Sequence, residues 1–134
     1  FRTAEEMGVD FRVSAVGTDT GASLADAYAA ADLVTYPSRI EGFGNALLEA
    51  FYYRRPLLVN RYPVYTADIA PRGVGAIEMD GRITDVVVSA AERWLSDSSH
   101  WSAAVARNYE IGQAHFSYGV AAEVLGGAIA AVVR

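Results

Sequence analysis

The chain has 134 residues, no cysteine and a formal charge of −5 from 11 Lys+Arg against 16 Asp+Glu, which excludes a disulfide-stapled scaffold and offers no general attraction for nucleic acid or an anionic membrane. With 52% hydrophobic and 20% charged residues it can bury a core, because a chain of this length withdraws roughly two-thirds of its unfolded surface from water. Fibrous and disordered classes fall away, and a single soluble, cytoplasmic domain is the expectation.

Phe1 to Gly8 reads as the last turns of a helix stopped by glycine with no beginning ahead of it, so residues 1–134 are expected to form one partial domain of a longer protein. Phe11-Arg12-Val13-Ser14-Ala15-Val16 alternates apolar and polar residues as a strand does, and Gly17 opens a turn through Gly21. Ser23 is placed to cap a helix through Ala31. Leu33 to Tyr36 is a short β-rich run closed by Pro37-Ser38, and Gly44 to Arg54 has helical composition with Leu47, Leu48 and Phe51 on one apolar side. Pro56 permits no continuation, Leu57-Leu58-Val59 forms the next strand, and Val74 to Met79 forms a fourth. A helix from Thr84 to Ser96 turns Val87, Ala91, Trp94 and Leu95 inward; two more follow, from Ser99 to Ala114 and from Ser117, an N-cap, to Val133.

Short apolar strands alternating with helices predict an α/β fold, a Rossmann-like parallel sheet with helices on both faces. The final helix is strongly apolar from Val120 to Val133 and shorter than the ~20 residues a bilayer requires. Two readings of it stand side by side: a core helix, or a face that packs against another domain.

Chemistry concentrates between Pro37 and Ala50. A strand ends, a loop carries Gly42 and Gly44, and a helix begins; in an open α/β sheet this carboxyl edge is where ligands sit. Glycines let a ligand approach the backbone, and the first N–H groups of the helix point outward with the positive end of its dipole, which suits an anion. Asn45, Glu49 and Tyr52 or Tyr53 make a polar stripe along that helix. Glu41 and Glu49 bracket the helix start, and carboxylates beside a phosphate site suit hydroxyl pairs such as sugar diols.

Glu41 and Glu49, with Gly42-Phe43-Gly44 between them, resemble the E-x7-E motif of retaining, nucleotide-sugar-dependent glycosyltransferases of the GT-B fold, in particular the group-1 (family-four) class. The likeness extends to Ala27 through Ser38, to Arg55 through Val59, and to Asn108 through Ser117. It implies part of the C-terminal, donor-binding Rossmann-like domain. By the same resemblance Glu41 is the catalytic contact to the donor sugar. Gly42, Phe43, Gly44 and Asn45 supply the loop that holds sugar and diphosphate, Glu49 takes the ribose hydroxyls, and Gly17 lies where the backbone meets the base. The implied donor is a UDP- or GDP-linked hexose, with no cofactor and no metal. The family's basic pair, an Arg and a Lys that neutralise the diphosphate, belongs to an earlier part of the domain, and the acceptor-binding N-terminal domain lies outside this chain. The fragment alone is therefore expected to be inactive and prone to self-association. Asn60 to Ile69 departs from the Gly-Gly stretch common in the family, resembling members that act on small polar acceptors such as sugar phosphates or glyceric-acid derivatives.

Plainer readings accompany these. Glu41 can be a first-turn carboxylate favoured by the helix dipole, Glu49 can lie on a solvated face, and Arg39 reads as an ordinary loop cation. His100 and His115 read as structural, because no second ligand stands at helical spacing to either. Tyr52, Tyr53, Tyr62 and Tyr65 read as rim packing rather than base-stacking groups. The alternative function from another class is a noncatalytic nucleotide-binding or regulatory module. A receiver-type module would require a lysine late in the sheet, and the chain has none.

Overall fold

A computed structural model describes residues 6–10 and 23–132, so the expected strand at Phe11 to Val16 and the turn at Gly17 lie outside the described residues. The chain divides into two compact units, Phe1–Ala30 and Ala31–Arg134. In the first, Gly8 has a φ of +69°, the left-handed conformation of a glycine that stops a helix. Helix α1 (Leu24–Ala30) opens with reciprocal capping. The Asp26 N–H donates to Ser23 Oγ at 3.2 Å, and the Ser23 N–H donates to the Asp26 carboxylate at 2.8 Å. Those bonds, the one from the Ser23 N–H foremost, hold the Asp26 carboxyl below the usual carboxylate range.

The second unit is built on three parallel strands, β1 (Val34–Tyr36), β2 (Leu57–Asn60) and β3 (Ile77–Met79), in the order β1-β2-β3 with Val34 opposite Leu57 and Leu58 opposite Ile77. Every residue of the central strand β2 is buried, as a parallel strand covered on both faces requires. Helix α2 (Asn45–Tyr52) connects β1 to β2. Only Ile77–Met79 of the expected Val74 to Met79 run is strand, because Gly75 is engaged by a helix instead of a neighbouring strand.

The β2–β3 connection contains a π-helix, Tyr65–Ile69, followed by a 3₁₀ turn, Ala70–Arg72. Pro71 lacks the N–H that an α-ladder would donate to the carbonyl of Ala67, and its ring crowds that carbonyl. Composition alone did not signal this element.

Helix α3 (Asp85–Ser96) covers one face of the sheet, where Leu58, Ile77, Met79 and Val87 form a cluster flanked by Leu33, Ala90, Ala91 and Trp94. Leu95, expected to face inward, is 56% exposed; Ala90 takes the inward position because the apolar stripe is centred on Val87, Ala90, Ala91 and Trp94. On β3 the side chains alternate, so Glu78 points to the opposite face, where it accepts a hydrogen bond from the Tyr65 hydroxyl at 2.8 Å. Tyr62 and Tyr65 are fully buried there rather than packed at a rim.

Helix α4 (Ser102–Phe116) begins after a 3₁₀ turn at Ser98–His100 rather than running from Ser99, because Asp97 accepts from the Ser99 N–H at 2.8 Å and caps the tighter turn. It packs on α2, which also lies against β1. Val105, Asn108 and Ile111 form its buried stripe. Asn108 is 1% exposed and clips both backbone groups of Gly75. Its Oδ1 accepts from the Gly75 N–H at 2.8 Å and its Nδ2 donates to the Gly75 carbonyl at 2.8 Å. Gly75 is required there, since a Cβ would collide with Ala104.

Ser117 adopts extended backbone (φ −78°, ψ 158°) and separates α4 from α5 (Tyr118–Val132), accepting the Val120 N–H at 3.4 Å as the expected N-cap. The core-helix reading of this last segment does not hold: α5 buries no residue, and Val124 and Leu125 are 67% and 63% exposed. Counted together, Ser102–Val132 is long and apolar enough to cross a membrane by length and composition, although the backbone at Ser117 interrupts it.

Replacing Asn108 by Ala leaves the Gly75 N–H and C=O without their partner in a buried setting, at a cost of about 1–3 kcal/mol. Urea unfolding of N108A should therefore show a lower midpoint with an unchanged slope.

Candidate functional site

The loop leaving β1 carries Pro37 to Gly44 and ends in the turn that starts α2. Gly44 is the N-cap residue, at φ 97° and ψ 63°, and no side chain caps the helix. The Leu47 and Leu48 N–H groups both reach the Gly44 carbonyl, at 3.0 and 3.3 Å. A left-handed backbone already favours glycine. Here the space favours it too, because a Cβ on Gly44 would overlap the Tyr62 hydroxyl. That hydroxyl donates to the Phe43 carbonyl at 2.9 Å, fixing the peptide just ahead of the helix. Gly42 differs: nothing lies within 4 Å of where its Cβ would be, so its backbone is open to approach.

Glu41 lies beside two phenols. Burial, and then its hydrogen bond to the Glu41 carboxylate, push the Tyr36 hydroxyl above its ordinary range. The Tyr62 hydroxyl is pushed up to about 12, first by burial and then by the neighbouring Tyr36 and Glu41. The Tyr36 and Tyr62 rings are 5.9 Å apart at a tilt of 56°. Tyr65 is raised as well, by burial and by its bond to Glu78.

The structure brings Glu41, Gly42, Phe43, Gly44 and Asn45 into one continuous turn, with half-buried Glu49 four residues beyond exposed Asn45 on α2. The Phe43 ring leaves the turn to meet Phe116 edge-on at 5.4 Å, so the residue offers backbone rather than side chain to a ligand. Gly17 lies outside the described residues. Tyr52 and Tyr53 stack on each other edge-to-face at 5.0 Å, and Tyr52 is 62% exposed. Among the described residues no group of three or more His, Asp or Glu is placed to hold a metal.

Two features escaped the sequence reading. Tyr36 on β1 and Tyr62 just after β2 lie beside Glu41 and Gly44, a juxtaposition that the pairing of β1 with β2 creates. Asn60 is 4% exposed at the end of β2 and ties the two flanking loops together. Its Nδ2 donates to the Ser38 carbonyl at 3.0 Å, and its Oδ1 accepts from the Gly81 N–H at 2.7 Å. The one signal in the chain was a polar residue closing an apolar strand run. Arg39 is not an idle loop cation: it donates to the Gly81 carbonyl at 2.6 Å.

Gly44→Ala should cost about 1–2 kcal/mol for the left-handed backbone alone, with the overlap on Tyr62 added, and calorimetric melting would register it as a clear fall in Tm. A phenol whose folded pKa is raised binds its proton more tightly in the folded state, so its stabilisation is complete below pH 10 and is lost as pH rises from about 10 toward about 12. Unfolding measured across that window should show a shallower decline in Tyr62→Phe than in the parent chain.

The family model described as glycosyl transferases group 1 matches residues 2–97. The mannosylglucosylglycerate synthase of Thermotoga maritima is 39% identical over 103 residues, 67% of this chain and 24% of that protein. The enzyme of the same name from Petrotoga mobilis is 50% identical over 60 residues, 45% of this chain and 14% of that protein. The D-inositol 3-phosphate glycosyltransferase of Segniliparus rotundus is 34% identical over 115 residues, 84% of this chain and 23% of that protein. The chain thus spans about a quarter or less of the length of these curated relatives. No solved structure matches it.

Proposed function

Since the chain belongs to the group 1 glycosyltransferases, we propose that it supplies the donor-binding part of a retaining enzyme that transfers a hexose from a UDP- or GDP-linked sugar to an acceptor. The observation that carries this reading is the start of α2: a helix opened by left-handed Gly44, without a side-chain cap, between Glu41 and Glu49 at the carboxyl edge of a parallel sheet.

In this reading the backbone of Gly42 to Asn45 faces the diphosphate, whose charge grows as the sugar–phosphate bond breaks. Pre-aimed N–H groups and a helix terminus stabilise such charge without reorganising. Glu41, oriented by Tyr36, accepts a hydrogen bond from the donor sugar near the reacting carbon. Glu49 accepts from the ribose hydroxyls, each a charge-assisted bond. Tyr36 is a positioning residue that acts through Glu41. The helix dipole amounts to about half a charge and cannot neutralise a diphosphate by itself. Cationic help is therefore assigned to the rest of the protein, and the isolated chain to no turnover. The relatives' names carry mannosylglucosylglycerate in one case and D-inositol 3-phosphate in the other, molecules that bear hydroxyls together with an acid group.

In the full-length protein that contains this chain, Glu41→Gln should lower kcat by roughly tenfold or more, equivalent to about 1.4 kcal/mol of transition-state stabilisation, while KM for the donor changes little. Glu49→Gln should do the reverse, raising donor KM with kcat near normal. Steady-state kinetics at varied donor concentration separate the two, and equal small effects would return both carboxylates to a solvated face.

Calorimetric titration with UDP and GDP should give the same affinity with magnesium and with EDTA, since no described cluster offers a metal its ligands. A strict magnesium requirement would overturn the metal-free site.

A further inference from the structure

The carboxyl edge holds a second polar feature beside the start of α2. An open cleft of about 450 Å³ lies among the three loops that leave β1, β2 and β3, lined by Arg39, Asn60, Arg61, Asp80, Gly81 and Arg82. Three arginines and one aspartate line it, in a chain whose formal charge is −5. Concentrating cations against the overall sign of the chain repels the guanidiniums from one another, a cost that a bound anion removes.

The walls are braced without consuming the arginines. Asn60 spends its amide on Ser38 and Gly81, so the loops keep their spacing. Arg39 gives one N–H to the Gly81 carbonyl, and a guanidinium carries five. Arg61 pairs with Glu78 through Nε at 3.8 Å, longer than a hydrogen bond, and its side chain is half exposed. Arg82 is exposed and makes no hydrogen bond or ion pair with the described residues. Forked donors on several sides match an oxyanion with two or more charged oxygens better than a single carbonyl or hydroxyl.

We propose that this cleft is an oxyanion site, separate from the start of α2, that takes the phosphate monoester or carboxylate of the molecule accepting the sugar. The anion site stands on the cleft alone, whereas its assignment to the acceptor rests on the glycosyltransferase reading. Arg39 and Glu41 are two residues apart in one loop, a span of at most about 7 Å of chain, so an acceptor anchored by its acid group has its hydroxyls near the donor carboxylate.

The test is calorimetric titration of the full-length protein with inorganic phosphate and, separately, with D-glycerate, in the presence of saturating UDP or GDP to fill the donor site. The R61Q/R82Q double variant should weaken the bound anion tenfold or more, whereas the exposed α3 variant R93Q should change it less than twofold. Asn60 is left intact in every variant, so the loop frame is kept. Binding of phosphate alone assigns a phosphate monoester, and binding of glycerate alone assigns a carboxylate; either supports the site. No saturation by either anion, or saturation that the double variant leaves unchanged, overturns it. Failure of the donor reading shows differently, as loss of UDP and GDP binding with the arginine-dependent phosphate signal intact.

Discussion

A single buried amide holds the functional edge of this protein together. Asn60 ends the central strand, and its two polar atoms take the Ser38 carbonyl on one side and the Gly81 N–H on the other. Parallel strands end side by side, but nothing in the ladder dictates where the loops beyond them go. Sequestered from water, the Asn60 side chain must satisfy both donor and acceptor, and the flanking loops are placed so that it does. The loop that carries Glu41 and the loop that carries Arg82 thereby acquire fixed positions relative to the sheet.

Tyr62 performs the analogous task for the helix start. It belongs to the segment after β2, yet its hydroxyl lies under the turn between β1 and α2, donating to Phe43 and occupying the space that any side chain at position 44 would need. Gly44 and Tyr62 thus select each other: the glycine accepts the backbone conformation, and the phenol prevents other residues from replacing it. Tyr36 adds the third element, its hydroxyl lying beside Glu41. A loop with two glycines is braced by one aromatic group on β1 and one just after β2, which suits a site whose donors must be aimed before charge develops.

Strand and helix periodicity made much of the architecture legible. Leu57 to Val59, the helix after Gly44, the Ser23 and Ser117 caps and the helix from the Thr84 region follow from local rules, and the structure carries them with small shifts at their ends. The candidate site was legible for the same reason. Glu41, Gly42, Phe43, Gly44, Asn45 and Glu49 are near one another in the chain, and a turn followed by a helix brings them together without help from distant residues. Where the reading failed, the deciding partner was remote. Gly75 leaves the strand pattern because Asn108 claims its backbone from 33 residues away. Tyr62 and Tyr65 are core residues because α2 and β3 close over them. The apolar α5 has too few neighbours to become a core helix, whatever its composition.

The sequence by itself determined the class of fold, the strand–loop–helix unit and the glycine-rich turn between two carboxylates, because each depends on the periodicity and backbone freedom of neighbouring residues. Tertiary structure alone decided which side chains brace that turn, where Arg39 points, and that Arg61 and Arg82 share a cleft with it. Those outcomes depend on the parallel ordering of β1, β2 and β3, which aligns three loops distant in the chain at one edge, and on the requirement that each polar group buried there find a partner.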